Sequence, residues 1–389
     1  MALAVEVAAT VLAVAGMGYY LAAFLAAHLF LAERRRPRPP YAPGVSILKS
    51  LKGLDSGMLD AFRSHCRQHY AGAYELLFGV SSLGDPAAAA VEQLQREFPS
   101  IPIRLVECPL QLGPNGKVST LAQLVEHAQL EYLLVNDSDI TISPHYLDSV
   151  MRCFAAPADQ HNAAPVGLVT ALYRARAHQT LPSRLEALGI STSFQPSVLL
   201  AKLVERGLHY GLGSTLAMRR DALERIGGFA VLADQLADDY ELGARMDRCG
   251  YRIALCDDVV ETSVPPYSWR AFAEHQLRWL RTVRDARPGG YAGLLFTHGF
   301  GWALLNVVAS GLSPVSLWLL GLCFFLRLAL AMTVGAAVLG DHQVLPNLWL
   351  LPLADLLGMA LWIAGFAGDT IVWRGHRYLV KNGRLTPLG

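Results

Sequence analysis

Charge is scarce in this chain, and what there is nearly cancels. Asp, Glu, Lys and Arg make up 17% of 389 residues against 53% hydrophobic ones, and 33 basic residues face 32 acidic ones. Such a chain is too apolar for an ordinary soluble protein and too charged for a pure membrane bundle, so one soluble domain plus membrane segments is expected. There is no basic surplus along a domain face, which argues against a nucleic-acid partner. Cysteine is also sparse. Cys66, Cys108, Cys153, Cys249, Cys256 and Cys323 form no CxxC pair, and buried reduced thiols fit a domain facing the cytoplasm.

Whole stretches lack charge altogether. Val7 to Ala32 is interrupted only by His28 and is long enough to cross a ~30 Å hydrocarbon core as a helix. Its basic cluster (Arg34, Arg35, Arg36 and Arg38) follows the apolar run, the reverse of a cleaved signal peptide. The positive-inside rule then places the amino terminus outside and the residues after Arg38 in the cytoplasm, at the inner membrane. No acidic or basic residue occurs between Arg287 and Arg327. The basic tail (Arg374, Arg377, Lys381 and Arg384) again belongs inside, so an even number of crossings is required after the soluble domain. Pro314 to Leu339 and Leu348 to Phe366 are the expected crossings, with Asp341 on the outer side and Leu294 to Leu312 as an interfacial or re-entrant helix. The resulting division is an anchor and basic flank at 1–38, a soluble domain at 39–290, a membrane region at 291–368 and a basic tail at 369–389.

Between Val45 and about Pro288 no apolar run is long enough to span. Short strand-like runs at 45–49, 75–80, 103–106 and 132–136 alternate with helical patterns such as Ala87 to Phe98 and Thr120 to Gln129. This alternation predicts an α/β domain with a largely parallel sheet, which binds ligands beyond the carboxyl ends of its strands.

Three clusters in that domain could carry chemistry. Asn136-Asp137-Ser138-Asp139 leaves a buried strand, and Asp137 with Asp139 could share Mg²⁺ or Mn²⁺ while leaving positions for diphosphate oxygens; a turn capped by Asp137 would read the same way. Asp238-Asp239-Tyr240-Glu241 opens a helix, where Asp239 could serve as general base or simply favour the helix dipole. His275-Gln276-Leu277-Arg278-Trp279 lies on an amphipathic helix. It is either a membrane-surface helix or a lid whose Arg278 pairs with a leaving diphosphate and whose Trp279 walls the acceptor site. Gly113-Pro114-Asn115-Gly116-Lys117 could offer Lys117 and backbone donors to an anion. Asp85-Pro86 follows a strand end, where an acid could contact the donor.

Taken in order, Pro43-Gly44-Val45-Ser46-Ile47-Leu48-Lys49 with Leu51-Lys52-Gly53, Asp85-Pro86, Asn115 with Lys117-Val118, Asp137-Ser138-Asp139, Asp238-Asp239-Tyr240 and Arg278-Trp279 resemble the ceramide glucosyltransferase family over about the whole chain. The resemblance implies a GT-A fold between amino- and carboxyl-terminal transmembrane helices, a UDP-sugar donor, a divalent metal and inverting transfer to the hydroxyl of a membrane lipid such as ceramide. It further implies that Asp85 helps hold the nucleotide, Asp137 serves metal and diphosphate, Asp239 is the base, and Arg278-Trp279 ends a (Gln/Arg)xxRW motif. Here the first position of that motif is His275, with Gln276 one place later, and Asp139 stands where animal enzymes tend to have a small residue. Both departures, with Arg287-Pro288-Gly289-Gly290-Tyr291, are similar to a bacterial branch that includes hopanoid-biosynthesis glycosyltransferases, which implies N-acetylglucosamine and a polyhydroxylated hopanoid as the alternative substrates. A glycoside hydrolase would also use paired carboxylates but has no evident need of the Asp137-Asp139 pattern. A non-catalytic scaffold and a processive polysaccharide synthase are the other readings, the latter needing an export pore that two or three carboxyl-terminal helices hardly build.

Overall fold

The computed structural model describes residues 2–55, 57–155, 164–373 and 376–388; Ser56 and Arg374 of the tail lie outside the described residues. Strands Val45–Ser50 (β1), Tyr74–Val80 (β2), Ile103–Glu107 (β3), Tyr132–Val135 (β4), Val166–Ala177 (β5), Leu216–Arg219 (β6) and Arg252–Val264 (β7) form one sheet in the order β3-β2-β1-β4-β6-β5-β7. Only β6 runs antiparallel to its neighbours; the pairs β1 with β2, β1 with β4, β2 with β3 and β5 with β7 are parallel. The first, second and fourth strands are buried along nearly their whole length because helices cover both faces of the sheet. Ile47, Phe78 and Leu134 point into one core with Phe62 and Tyr146, while Leu48, Leu77 and Leu133 point into the other with Leu121 and Met246.

Parallel strands place their carboxyl ends together, so the segments after β1, β2, β4, β5 and β7 emerge at one edge. The antiparallel β6 begins at that same edge, which brings the loop before Leu216 beside residues 136–139. These α/β features match the expectation, and the mixed sheet with apolar helices at both ends of the chain is a GT-A arrangement.

Five helices among the described residues are long and apolar enough to cross a membrane: Leu3–Arg34, Leu181–Val204, Pro288–Ala309, Pro314–Val338 and Val344–Ala364. The helix Ala2–Arg34 is about 50 Å long at 1.5 Å per residue. Helix Gly299–Ala309 runs back along its outer half: Gly16 packs so closely on Gly299 that a Cβ there would come within 2.3 Å of the Gly299 Cα. Further out, Asn306 donates to Thr10 Oγ1 at 2.6 Å and to the Glu6 carbonyl at 3.2 Å. The chain turns at Ser310 to Ser313 and returns through 314–338, where Arg34 donates to the Val338 carbonyl at 3.3 Å. The segment expected to be interfacial or re-entrant is thus held to the first helix by small residues and interhelical hydrogen bonds, as membrane helices are held to one another.

The helix at Leu348–Phe366, expected as a crossing, is tied at both ends to the domain that precedes it. Asp341, expected on the far side, is buried against the catalytic domain and accepts a hydrogen bond from Ser191 at 2.6 Å. Asn347 accepts from Arg184 at 2.8 Å, and at the other end the Gly365 carbonyl accepts from Arg284 at 2.7 Å. Both ends of the helix thus stay on the catalytic domain, and Leu345, Trp349, Leu353, Leu356 and Ile363 form its exposed apolar face.

The tail is also more than a basic extension. Thr370–Trp373 (β8), His376–Lys381 (β9) and Arg384–Leu388 (β10) form an antiparallel sheet. It docks on the loop before Asp238, where Leu236 N–H donates to the Gly383 carbonyl and Leu385 N–H to the Asp234 carbonyl, each at 2.9 Å.

Candidate active site

Four sequence-predicted groups meet at the carboxyl edge of the sheet. Asp137, just past β4, receives the Lys117 ammonium at 2.6 Å, and the same ammonium lies 3.7 Å from Asp238. Lys117 sits in the first turn of helix Gly116–Leu124, which Asn115 caps by accepting from Val118 N–H. The Asn115 amide also donates to the Gln235 carbonyl at 2.9 Å and to Asp238 Oδ1 at 3.2 Å, so one buried side chain ties the lysine helix to the acid loop. Burial alone would push the Lys117 ammonium down, but Asp137 and Asp238 outweigh it and hold it above its ordinary value.

Asp239 opens helix Asp238–Arg248 and accepts from its neighbour Tyr240 N–H at 2.8 Å. Burial and then the adjacent Asp238 push its carboxyl up to about 6, against the pull of Lys117. The Asp137 and Asp239 carboxylates converge on Gly213: a Cβ there would stand 2.9 Å from Asp239 Oδ2 and 3.7 Å from Asp137 Oδ2. Only glycine leaves both acids their room.

Asp139 turns away, accepting from Thr262 Oγ1 at 2.5 Å and Ser263 N–H at 2.9 Å on β7. Burial raises its carboxyl, partly offset by the Thr262 bond. Lys49, fully buried on β1, donates to the Asp137 carbonyl at 3.0 Å, and burial draws its ammonium down to about 7 despite Asp139 and Asp137. Asp85 stands apart from these acids. It accepts from Gly53 N–H at 2.9 Å and from Ala87 N–H at 2.9 Å, fixing the loops after β1 and β2 that form the other side of the cleft.

The predicted lid is the helix Trp269–Ala286, capped by Ser268. Sequence reasoning missed what holds it. The buried Glu186 accepts from His275 at 3.2 Å and from Gln276 at 3.0 Å through the same oxygen. This explains how a histidine followed by a glutamine serves at the start of the motif: both reach one carboxylate. Trp279 packs near His275 and Phe194, with ring centroids at 5.3 and 6.3 Å, and Phe194 meets Tyr173 at 5.7 Å. Arg281 and Arg284 donate to the carbonyls of Ala367, Thr370, Gly365 and Gly368 and so fasten the lid to the chain that leads into the tail. Arg278 lies on the same helix and acts electrostatically on Tyr267.

The profile of glycosyl transferase family 21 matches residues 8–386. The chain belongs to glycosyl transferase family 21. Among its relatives, ceramide glucosyltransferase 3 of Caenorhabditis elegans is 23% identical over 361 residues, covering 89% of this chain and 74% of the relative. Ceramide glucosyltransferase 1 of the same organism is 22% identical over 358 residues, covering 88% and 73%. Of solved structures, the mannosyltransferase PcManGT from Pyrobaculum calidifontis, in complex with GDP-Man and Mn²⁺, aligns at TM-score 0.55 with 21% identity, over 93% of this chain and 97% of that one. The fold is thus that of a glycosyltransferase. The family 21 chain is a hexosyltransferase and a membrane protein.

Proposed function

We propose that this family 21 enzyme transfers a sugar, glucose in the first instance, from a UDP-sugar to the primary hydroxyl of a membrane lipid, ceramide-like, with inversion and with its catalytic domain on the cytoplasmic face of the inner membrane. The observation that carries the proposal is the convergence of Asp137 and Asp239 on Gly213, together with an aromatic wall whose Phe194 lies on the apolar helix Leu181–Val204. A soluble donor reaches the acids from the aqueous side. A lipid hydroxyl reaches them from the bilayer.

In this reading Asp239, ionised near neutral pH, takes the proton of the attacking hydroxyl. Lys117 balances charge beside Asp137 as the nucleoside diphosphate departs, while Asp85 keeps the loops around the nucleotide in place. The lid, latched on Glu186, closes Trp279 over the acceptor and brings Arg278 toward the diphosphate. Holding both reactants in line removes on the order of 7 to 11 kcal/mol of barrier.

The Asp137 side chain, 45% exposed on the cleft side, supplies hard carboxylate oxygens, while Asp139 commits Oδ2 to Thr262 and Ser263 and would reach a cation through its other oxygen. No group of three such ligands occurs among the described residues. These two acids fit Mg²⁺ or Mn²⁺ held jointly with the donor's diphosphate, which is how small hard cations with few protein ligands bind. Such a cation supplies neutralisation of the leaving group.

The test is release of nucleoside diphosphate by the purified full chain from UDP-glucose, and in parallel from UDP-N-acetylglucosamine, with vesicles containing ceramide or a polyhydroxylated hopanoid. Lipid-stimulated release with UDP-glucose and ceramide supports the first reading. Stimulation only with UDP-N-acetylglucosamine and hopanoid moves the enzyme to the alternative, and no stimulation by any lipid refutes lipid transfer.

A further inference from the structure

Behind the aromatic wall lies a cavity with about 80 Å³ of room for water-sized centres, enough for several hydrogen-bonding groups at roughly 10–15 Å³ each. Tyr19 of the first membrane helix, Thr297, His298, Arg327, Asp355 and Gly358 contribute to its walls. A charged pair at membrane depth is a functional feature by default. Arg327 donates from Nε to both Asp355 oxygens at 3.1 and 2.9 Å, and from Nη2 to Asp355 Oδ1 at 2.7 Å. It spends its remaining donors on the Thr192 carbonyl at 2.9 Å and on the Thr192 and Ser193 hydroxyls at 3.3 and 3.0 Å.

Two consequences bear on what the cavity can hold. Every nitrogen of Arg327 is engaged and its charge is met by Asp355, so an anionic headgroup would face a carboxylate with no free cation to pair it. Meanwhile a polar group still lacks its partner: His298 Nε2 is buried with no hydrogen bond among the described residues. Buried polar atoms are ordinarily satisfied. Asp355, with two oxygens offering about four acceptor positions, also retains acceptor capacity beyond Arg327. The occupant is therefore neutral and hydrogen-bonding, with hydroxyl or amide donors.

The cavity borders the aromatic wall of the active site. Ser193 on its rim is followed by Phe194, whose ring meets both Trp279 and Tyr173. The buried Tyr173 hydroxyl is raised first by burial and next by the charge of Asp239, which puts that ring within electrostatic reach of the catalytic acid. On the other side, the cavity is roofed by the helix Val344–Ala364, with Asp355 and Gly358 inward and Leu353, Leu356 and Ile363 outward.

Resting on the lipid-acceptor reading above, we propose that this cavity is a second anchor for the acceptor, taking a hydroxyl or amide that the lipid carries behind its reacting hydroxyl. The enzyme thereby selects neutral lipids with two or more polar groups over lipids with one.

Gly358 gives access to the test, because a Cβ there meets only His298 Cε1, at 4.0 Å. Gly358→Leu fills the cavity from a helix position outside the catalytic machinery. The assay uses the full chain in detergent, with whichever of ceramide or polyhydroxylated hopanoid the wild type accepts and a long-chain fatty alcohol as the single-hydroxyl comparison. The wild type is expected to prefer the first lipid at least tenfold in kcat/KM. Gly358→Leu raises that lipid's KM at least tenfold and erases the preference, while donor KM and lipid-independent donor hydrolysis stay within twofold; Gly358→Ala stays near wild type. If Gly358→Leu also loses donor hydrolysis, His298→Phe, which removes the unpartnered nitrogen, carries the same expectation. An unchanged acceptor KM with intact donor hydrolysis, or a wild type that uses both lipids equally, overturns this assignment alone. A wild type that glycosylates no lipid overturns the lipid-acceptor reading and this assignment with it.

Discussion

Replacing Asp239 by Asn sets activity and stability against each other in a way that a purely structural aspartate would not. The Asn side chain keeps the shape and can still accept from Tyr240 N–H, a bond made at 2.8 Å in the native protein. What it loses is basicity. General-base help contributes roughly 10²- to 10⁴-fold, so kcat should fall by that factor, about 3 to 5 kcal/mol of barrier. The folded-state pKa of about 6 lies above the ordinary 3.8 because burial and Asp238 disfavour the charged form. A raised carboxylate pKa means that stability is greatest below the unfolded value and declines as pH rises through about 6. At neutral pH the substitution should therefore stabilise the ligand-free protein, by on the order of 2–3 kcal/mol at 1.36 kcal/mol per pKa unit. Coupled assay of diphosphate release gives kcat, calorimetry with donor gives binding, and thermal melting in chelator at pH 5 and pH 8 gives stability. Donor affinity is expected to stay within a few fold and the gain in Tm to be larger at pH 8. A variant that keeps more than a tenth of wild-type kcat, or that melts lower at pH 8, refutes the reasoning.

Other outcomes follow from the same geometry. The acidic limb of the wild-type kcat/KM profile should lie no higher than about pH 6, since Asp239 must lose its proton to act and a bound cation only lowers its pKa further; a limb near pH 8 would assign the base elsewhere. Asp137→Ala and Asp139→Ala should each weaken Mn²⁺-dependent donor binding, read by calorimetry with metal and with chelator, and identical wild-type isotherms in the two conditions would remove the metal site. Glu186→Ala frees His275 and Gln276 and should cost roughly 10- to 100-fold in kcat/KM for the lipid, at about 1–3 kcal/mol for buried polar groups left unpaired, whereas Glu186→Gln should recover part of it and donor binding should not change. For topology, a membrane-impermeant thiol reagent applied to intact cells should reach Leu312→Cys but not Ser268→Cys or His342→Cys; labelling at His342 together with Leu312 would instead make Leu348–Phe366 a crossing.

The first half of the sheet was readable because β1 to β4 are local apolar runs separated by helical spacing, and 45–49, 75–80, 103–106 and 132–136 fall on them. The second half was not. β6 has four residues and exists through pairing with β4 and β5, which are distant in sequence, and β5 and β7 mix charged residues into long strands whose far ends reach the lid. What sets the two apolar segments after the catalytic domain apart was not legible for a related reason. Hydropathy reports composition, and Pro288–Ala309 and Val344–Ala364 are both apolar and long; what assigns them is tertiary, Gly16 on Gly299 and Asn306 on Thr10 for one, Arg184 and Arg284 on either end of the other. At the site, Asp137, Asp239, Lys117 and the lid motif were visible because each sits at a strand end or helix start with its own local pattern. Glu186 and Gly213 carry no such pattern: one looks like any helical glutamate and the other like any loop glycine until the acids and the lid are folded against them.

The claim that this chain glycosylates a membrane lipid is tested most directly by mass spectrometry of lipid extracts from a host making the wild-type protein, compared with one making Asp239→Asn at equal abundance. The account predicts a new glycolipid with the wild type only, carrying a hexose increment on ceramide in the primary reading or an N-acetylhexosamine increment on hopanoid in the alternative. Lipid profiles that are the same with both proteins, in a host shown to contain both candidate acceptors and both UDP-sugars, would contradict it.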